Sequence, residues 1–133
     1  AQGRVALDLS AIVSTASFLA ASTTRAADAP DLSRLPPPAA GPVDFKRDIQ
    51  PLLQAHCLSC HGADKQRGGL LLETRASALK GGENHAPAIR PGDSASSPLI
   101  HFVAGLVPDW TMPPKGEPLT ADQVGLLRAW IDQ

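Results

Sequence analysis

The sequence predicts a small, mostly α-helical domain that follows an apolar segment and a proline-rich linker. Two observations predict helices: apolar residues recur at helical spacing in residues 45–53, and a capped apolar stripe occupies residues 120–131. The third observation is the run Cys57-x-x-Cys60-His61, which is typical of a c-type haem attachment site. We therefore expect the helices to pack around a covalently bound haem.

Composition narrows the functional classes. A length of 133 residues fits one domain with appendages, and 13 prolines and 11 glycines predict long loops. A net charge of −1 indicates no nucleic-acid partner, since such a surface would be basic. No hydrolytic triad, phosphate-binding loop or carboxylate dyad is recognisable, so the sequence does not predict an enzyme.

Residues 1–28 are interpreted as a signal-like or membrane-anchor segment. An apolar stretch at residues 5–21 follows Arg4, and small residues follow it, which is the order of an export signal. The uncharged part, residues 9–24, would rise only about 24 Å as a helix, less than the roughly 30 Å of a bilayer core. We expect an exported protein, in the bacterial periplasm or at the outer face of the cytoplasmic membrane; the alternative is a retained membrane anchor.

Residues 29–42 are predicted to be a linker, and residues 43–133 the folded domain. Pro36-Pro37-Pro38 favours an extended polyproline II conformation, which would space the domain from the segment before it. A disordered leader is the alternative.

Within the domain, helices are expected at both ends. The first runs to His56, with its regular part starting near Asp48 so that Pro51 falls in the first turn. The last begins after Thr120, where Gln123 completes a capping box, and should pack against the first. Shorter helices are predicted at residues 74–79 and after Ser97-Pro98.

The attachment motif is the strongest chemical signal. Cys57 and Cys60, one helical turn apart, would add to the two vinyl groups of one haem, and His61 would be the proximal ligand of its iron. A zinc site is the sharpest alternative, but His85 and His101 are 16 residues apart, which does not match the usual zinc-site spacing. A redox-active cysteine pair would require a βαβ context, which is missing.

Met112 is the only methionine and lies in a proline-rich loop. Its soft thioether is the candidate sixth ligand, and His/Met ligation raises the haem potential; core packing is the alternative role. His101 is a second candidate for that position. Arg90 or Arg67 would pair with a haem propionate, unless they are simply solvated. Trp110 and Trp130 are candidates for the wall of the haem or for the helix crossing, and core packing is the alternative expected first for Trp130.

Residues 43–133 resemble the planctomycete-type cytochrome c domain, a branch of the small monohaem cytochromes c. The matching stretches are Val43-Asp44-Phe45, Asp48-Ile49-Gln50-Pro51, Cys57-x-x-Cys60-His61-Gly62, Gly68-Gly69-Leu70, Thr74-Arg75, Ala86-Pro87-Ala88-Ile89, Pro91-Gly92, Met112-Pro113-Pro114, Leu119-Thr120 and Ile131-Asp132. The resemblance implies crossing terminal helices, haem thioethers at Cys57 and Cys60, and His61/Met112 axial ligation. It also makes Pro87 the best match for the carbonyl that accepts the His61 N–H.

These features lead us to expect an electron carrier or relay with one haem c and its iron. Its partners would be other redox proteins that are membrane-associated. Residues 5–21 are a possible membrane anchor of this chain. One alternative is a haem-bearing accessory subunit of a larger membrane complex. The other is a haem peroxidase or ligand sensor in which Met112 is displaced.

Overall fold

The computed structural model describes residues 30–84 and 86–133. The predicted signal-like or anchor segment, residues 1–28, lies outside the described residues, as does His85. Among the helices that are described, none has the length and apolar character needed to cross a bilayer.

The described chain is mostly helical, as predicted. Its α-helices are α1 (Gln50–His56), α2 (Leu58–His61), α3 (Arg75–Lys80), α4 (Pro98–Val103) and α5 (Ala121–Asp132). A π-turn at Phe45–Ile49 leads into α1, and 3-10 turns lie at Leu32–Arg34, Arg67–Gly69 and Ser94–Ser96. One two-residue strand, β1 (Lys65–Gln66), pairs with His61 and Gly62 in an antiparallel manner.

Reciprocal hydrogen bonds start the first helical segment. The Asp44 side chain accepts the Arg47 N–H at 2.8 Å, and Asp48 accepts the Asp44 N–H at 2.9 Å. The side-chain hydrogen bond from Arg47 and the Asp44 N–H lower the pKa of Asp48 to about 2. Regular α-helix begins at Gln50, with Pro51 in its first turn, close to the start predicted near Asp48.

The last helix carries much of the core. Thr120 and Gln123 form the predicted capping box at its start. Its buried stripe, Val124, Leu127 and Ile131, joins a core cluster that includes Ile49 and Leu53. The rings of Phe45 and Trp130 lie 5.4 Å apart, so the first helical segment contacts the last. That the two helices cross stays a prediction from the family resemblance.

The proline-rich segment lies against α5. The Ala39 N–H donates to the Gly125 carbonyl at 2.9 Å, and the Arg128 guanidinium donates to the Pro36 carbonyl. Near the end of the helix, the Gln133 amide donates to the Gly41 carbonyl at 3.0 Å. Residues 36–41 are therefore attached to the domain rather than projecting from it.

We expect Gly125→Ala to detach this segment. An added Cβ at Gly125 would lie 2.7 Å from the Pro37 carbonyl oxygen, too close for van der Waals contact. In the absence of a clash, alanine would stabilise the helix by roughly 0.5–1 kcal/mol relative to glycine. Faster hydrogen exchange in residues 36–41, with exchange in α5 unchanged, would therefore be the effect of the clash alone. Ala121→Ser, at an exposed position of the same helix, is the control. Unchanged exchange in Gly125→Ala would contradict the expectation.

Candidate haem-attachment site

The attachment motif lies in one helical turn. Cys57 joins α1 to α2: its N–H donates to the Leu53 carbonyl at 2.8 Å, and its own carbonyl accepts the His61 N–H at 2.9 Å. Cys57 is buried, Cys60 is partly buried, and both thiols are free. The predicted neighbours Cys57, Cys60 and His61 are thus held by a single segment of helical backbone.

The backbone after the motif is equally constrained. Gly62 is buried, and an added Cβ there would overlap the carbonyl oxygen of Leu58. The His61 carbonyl accepts the Leu72 N–H at 2.8 Å, and Gly62 pairs with Lys65 across a short antiparallel turn. Glycine at residue 62 therefore allows the chain to leave the motif tightly against α2.

His61 carries an unpaired buried nitrogen. Its Nδ1 is buried and has no hydrogen-bond partner. A buried polar atom left unpaired costs free energy, and ligating histidines usually donate from their second ring nitrogen to a carbonyl. The two thiols and the imidazole in one helical turn fit a haem whose iron is bound by His61 through Nε2, but the acceptor that Nδ1 would then need is not formed in this structure. Pro87 is exposed and makes no hydrogen bond with His61 in the structure, so its role as acceptor stays a prediction.

The state of the Cys57 thiol bears on the alternative sites. Burial raises the pKa of this thiol from 9.0 to about 11, which favours the protonated form at neutral pH. The raised pKa disfavours thiol–disulfide exchange, which needs the thiolate, but it does not argue against zinc, because a bound zinc ion would itself deprotonate the thiol. Among residues 30–84 and 86–133, no three His, Cys, Asp or Glu side chains are grouped closely enough to hold a metal ion. Neither alternative gains support.

Met112 is partly buried and packs against the core. Its N–H donates to the Phe102 carbonyl at 3.1 Å, which ties the proline-rich loop to the end of α4. The turn before it is tight: Val107 pairs with Trp110, and Asp109 has a φ of 63°, uncommon for a residue other than glycine. The position of Met112 is thus set by α4.

The two tryptophans differ. Trp130 packs against the core beside Phe45, as expected for the helix contact. Trp110 is 61% exposed, so its side chain is not packed into the core.

The other candidate side chains are placed as follows. His101 Nε2 lies 2.6 Å from the Ala95 carbonyl oxygen, so this nitrogen is already engaged. His56 Nε2 lies 3.5 Å from the Gln123 amide nitrogen. The guanidinium groups of Arg67 and Arg90 are exposed and form no hydrogen bond with the described residues. Their pairing with a haem propionate stays a prediction.

Two cavities lie beside this region. The first, about 330 Å³, lies between the π-turn, α3 and α5 and is lined in part by Phe45, Arg75 and Trp130. The second, about 310 Å³, is lined in part by Leu58 and Leu72. Neither of these two cavities is lined by Cys60, His61 or Met112.

Several positioning groups were not found by sequence reasoning. The Phe102 and Ala95 carbonyls, which hold Met112 and His101, are main-chain atoms that no residue type reveals. Gly62 is part of a motif that the sequence reveals, but its close approach to the Leu58 carbonyl is seen only in the three-dimensional structure.

Comparison with known proteins supports the haem interpretation. A family model described as Planctomycete cytochrome C matches residues 57–116, a segment that begins at the attachment motif and includes Met112. No curated protein and no solved structure matches the chain significantly. A cytochrome c domain implies covalent haem c with iron and electron transfer by that haem, and Cys57 and Cys60 fit its attachment site. The match confirms, over residues 57–116, the family resemblance found in the sequence.

Proposed function

We propose that this chain is an electron carrier or relay whose haem is attached through Cys57 and Cys60 and ligated by His61 and Met112. The observation that carries the proposal is the single helical turn that presents both thiols and His61. When bound, the haem supplies one-electron exchange between ferric and ferrous iron.

The chain's own residues would attach the haem, bind its iron and cover it. Two thioethers would hold the macrocycle on α2, and His61 would bind the iron from the same turn. Met112 would approach on a separate loop, which the Phe102 carbonyl restrains at 3.1 Å. His61 and Met112 together would leave no open position on the iron for a substrate, so we propose a carrier and not an enzyme.

We further propose that the protein is exported and exchanges electrons with membrane-associated redox proteins. The support is the order of features in residues 1–28, which is that of an export signal. The docked residues 36–41 would hold the preceding chain close to α5.

The test is a spectrum of protein matured with the cytochrome c assembly machinery. We expect one covalent haem per chain by mass spectrometry, and a long-wavelength ferric band diagnostic of a methionine–iron bond. Met112→Ala should keep the haem, lose that band and have a lower reduction potential, because the thioether stabilises ferrous iron.

The matched control removes attachment instead of ligation. Cys57→Ala combined with Cys60→Ala should leave no covalent haem, whatever the state of Met112. A colourless wild-type protein, or one holding a metal ion without tetrapyrrole, would refute the proposal. Hydrogen peroxide turnover with a high-spin ferrous spectrum would instead support the enzymatic alternative.

A further inference from the structure

We propose that His101 is a positioning residue for the Met112 ligand, fixing α4 so that the Phe102 carbonyl holds the Met112 main chain in place. The inference rests on the proposed function, in which Met112 binds the iron. It assigns a role to a histidine that the sequence offered only as a rival ligand. Three connected sets of hydrogen bonds carry it.

The first set fixes the acceptor of His101 to α5. Ser94 is 1% exposed, and its N–H and hydroxyl donate to the two carboxylate oxygens of Asp132 at 2.8 and 2.9 Å. The Ser94 hydroxyl oxygen also accepts from Arg128 Nε at 3.0 Å. The turn Ser94–Ser96 is therefore attached to the last helix, and the Ala95 carbonyl within it is a fixed acceptor.

The second set is the hydrogen bond of the His101 side chain. His101 Nε2 lies 2.6 Å from the Ala95 carbonyl oxygen. A carbonyl only accepts, so Nε2 must carry the proton and donate it. A protonated Nε2 has no lone pair to offer iron, so in this arrangement this nitrogen is not available as the sixth ligand. The side chain instead ties α4 to the turn that α5 holds.

The third set runs from α4 to the ligand. The His101 main-chain carbonyl accepts the Leu106 N–H at 2.9 Å, and the next carbonyl, of Phe102, accepts the Met112 N–H at 3.1 Å. The loop that carries Met112 is thus hydrogen-bonded to the last turn of α4 at both of these points. A shift of that turn would move Met112.

The length of α4 makes this dependence strong. The helix has six residues, and helices so short are unstable without tertiary contacts. Leu99, Ile100 and Val103 bury its apolar face, but hydrophobic contact is not directional. The hydrogen bond from His101 is directional and therefore restricts the rotation of the helix.

The test compares two substitutions in the matured protein. His101→Phe keeps a ring but removes the donor, whereas His101→Gln places an amide nitrogen near the position of Nε2. We measure displacement of Met112 from ferric iron by added imidazole, followed through the methionine band, and the reduction potential. His101→Phe should bind imidazole about tenfold more tightly, equivalent to about 1.4 kcal/mol, and have a lower potential. His101→Gln should remain close to wild type.

Two further variants separate positioning from general stability. Ile100→Val removes a buried methylene group from the same helix and keeps the hydrogen bond, so it should lower resistance to urea without changing imidazole affinity. Asp132→Ala loosens the Ser94–Ser96 turn from the other side and should raise imidazole affinity in the same direction as His101→Phe. It serves as the second variant if His101→Phe does not fold.

Each outcome is decisive. A wild-type protein without the methionine band, unaltered by Met112→Ala, refutes the proposed ligation and this inference with it. A wild-type protein with the band, combined with unchanged imidazole affinity in His101→Phe, overturns the inference alone. Equal shifts in His101→Phe and Ile100→Val also overturn it, since they would show only a loss of packing.

Discussion

Gly62→Ala is expected to produce protein with little covalent haem, although it changes none of the haem-binding residues. The added Cβ would overlap the Leu58 carbonyl oxygen, and Leu58 lies between the two cysteines. Backbone atoms cannot rotate away as a flexible side chain can, so the attachment turn must shift. Overpacking of this kind costs typically about 1–3 kcal/mol, and here the strain falls on the geometry that attachment requires.

The measurement is the haem content per chain, from mass spectrometry and the absorbance of the matured protein. Ala63→Ser is the control, because Ala63 is the exposed neighbour of Gly62. Wild-type haem content in Gly62→Ala would show that the turn adapts to a Cβ, contrary to the close approach seen here.

Leu127→Ala is expected to cause the largest loss of stability. Leu127 is 0% exposed in the middle of α5 and belongs to the core cluster that also contains Ile49 and Leu53. Truncation of a fully buried leucine costs about 2–5 kcal/mol, from lost burial and the cavity left behind. In a domain of this size, that is a large part of a typical free energy of unfolding, about 5–15 kcal/mol.

Urea denaturation of the matured protein measures this loss. Leu126→Ala provides the comparison: the neighbouring leucine is only partly buried, so the same truncation should cost clearly less. Equal midpoints for the two variants, at equal slope, would mean that α5 is not seated in the core as the structure has it.

Local patterns explain which features were predictable. The capping box of Thr120 and Gln123 lies within four residues, and the structure forms it as expected. The start of α1 was predictable for the same reason, since Pro51 is tolerated only in a first turn. The attachment motif is likewise a contiguous run, and the family match confirms the resemblance built on it.

Long-range contacts explain what was not predictable. Residues 36–41 have the composition of a free linker, yet they lie on α5 because Gly125 leaves room for the backbone and Arg128 reaches the Pro36 carbonyl. Those partners are about ninety residues apart in the sequence. Likewise, nothing in the sequence near His101 indicates that Ala95 is its partner or that Asp132 holds the turn that contains Ala95.

The amino-acid sequence by itself determined which reactive groups are present: two thiols and an imidazole in one turn, and one thioether far along the chain. It also determined the apolar stripes that form helices. The tertiary structure alone decided how those groups are held: Gly62 against Leu58, the His101 ring on the Ala95 carbonyl, and Met112 on the Phe102 carbonyl. The physical reason is that side-chain chemistry and helix periodicity are local properties. Main-chain acceptors and close approaches become specific only after distant segments have packed.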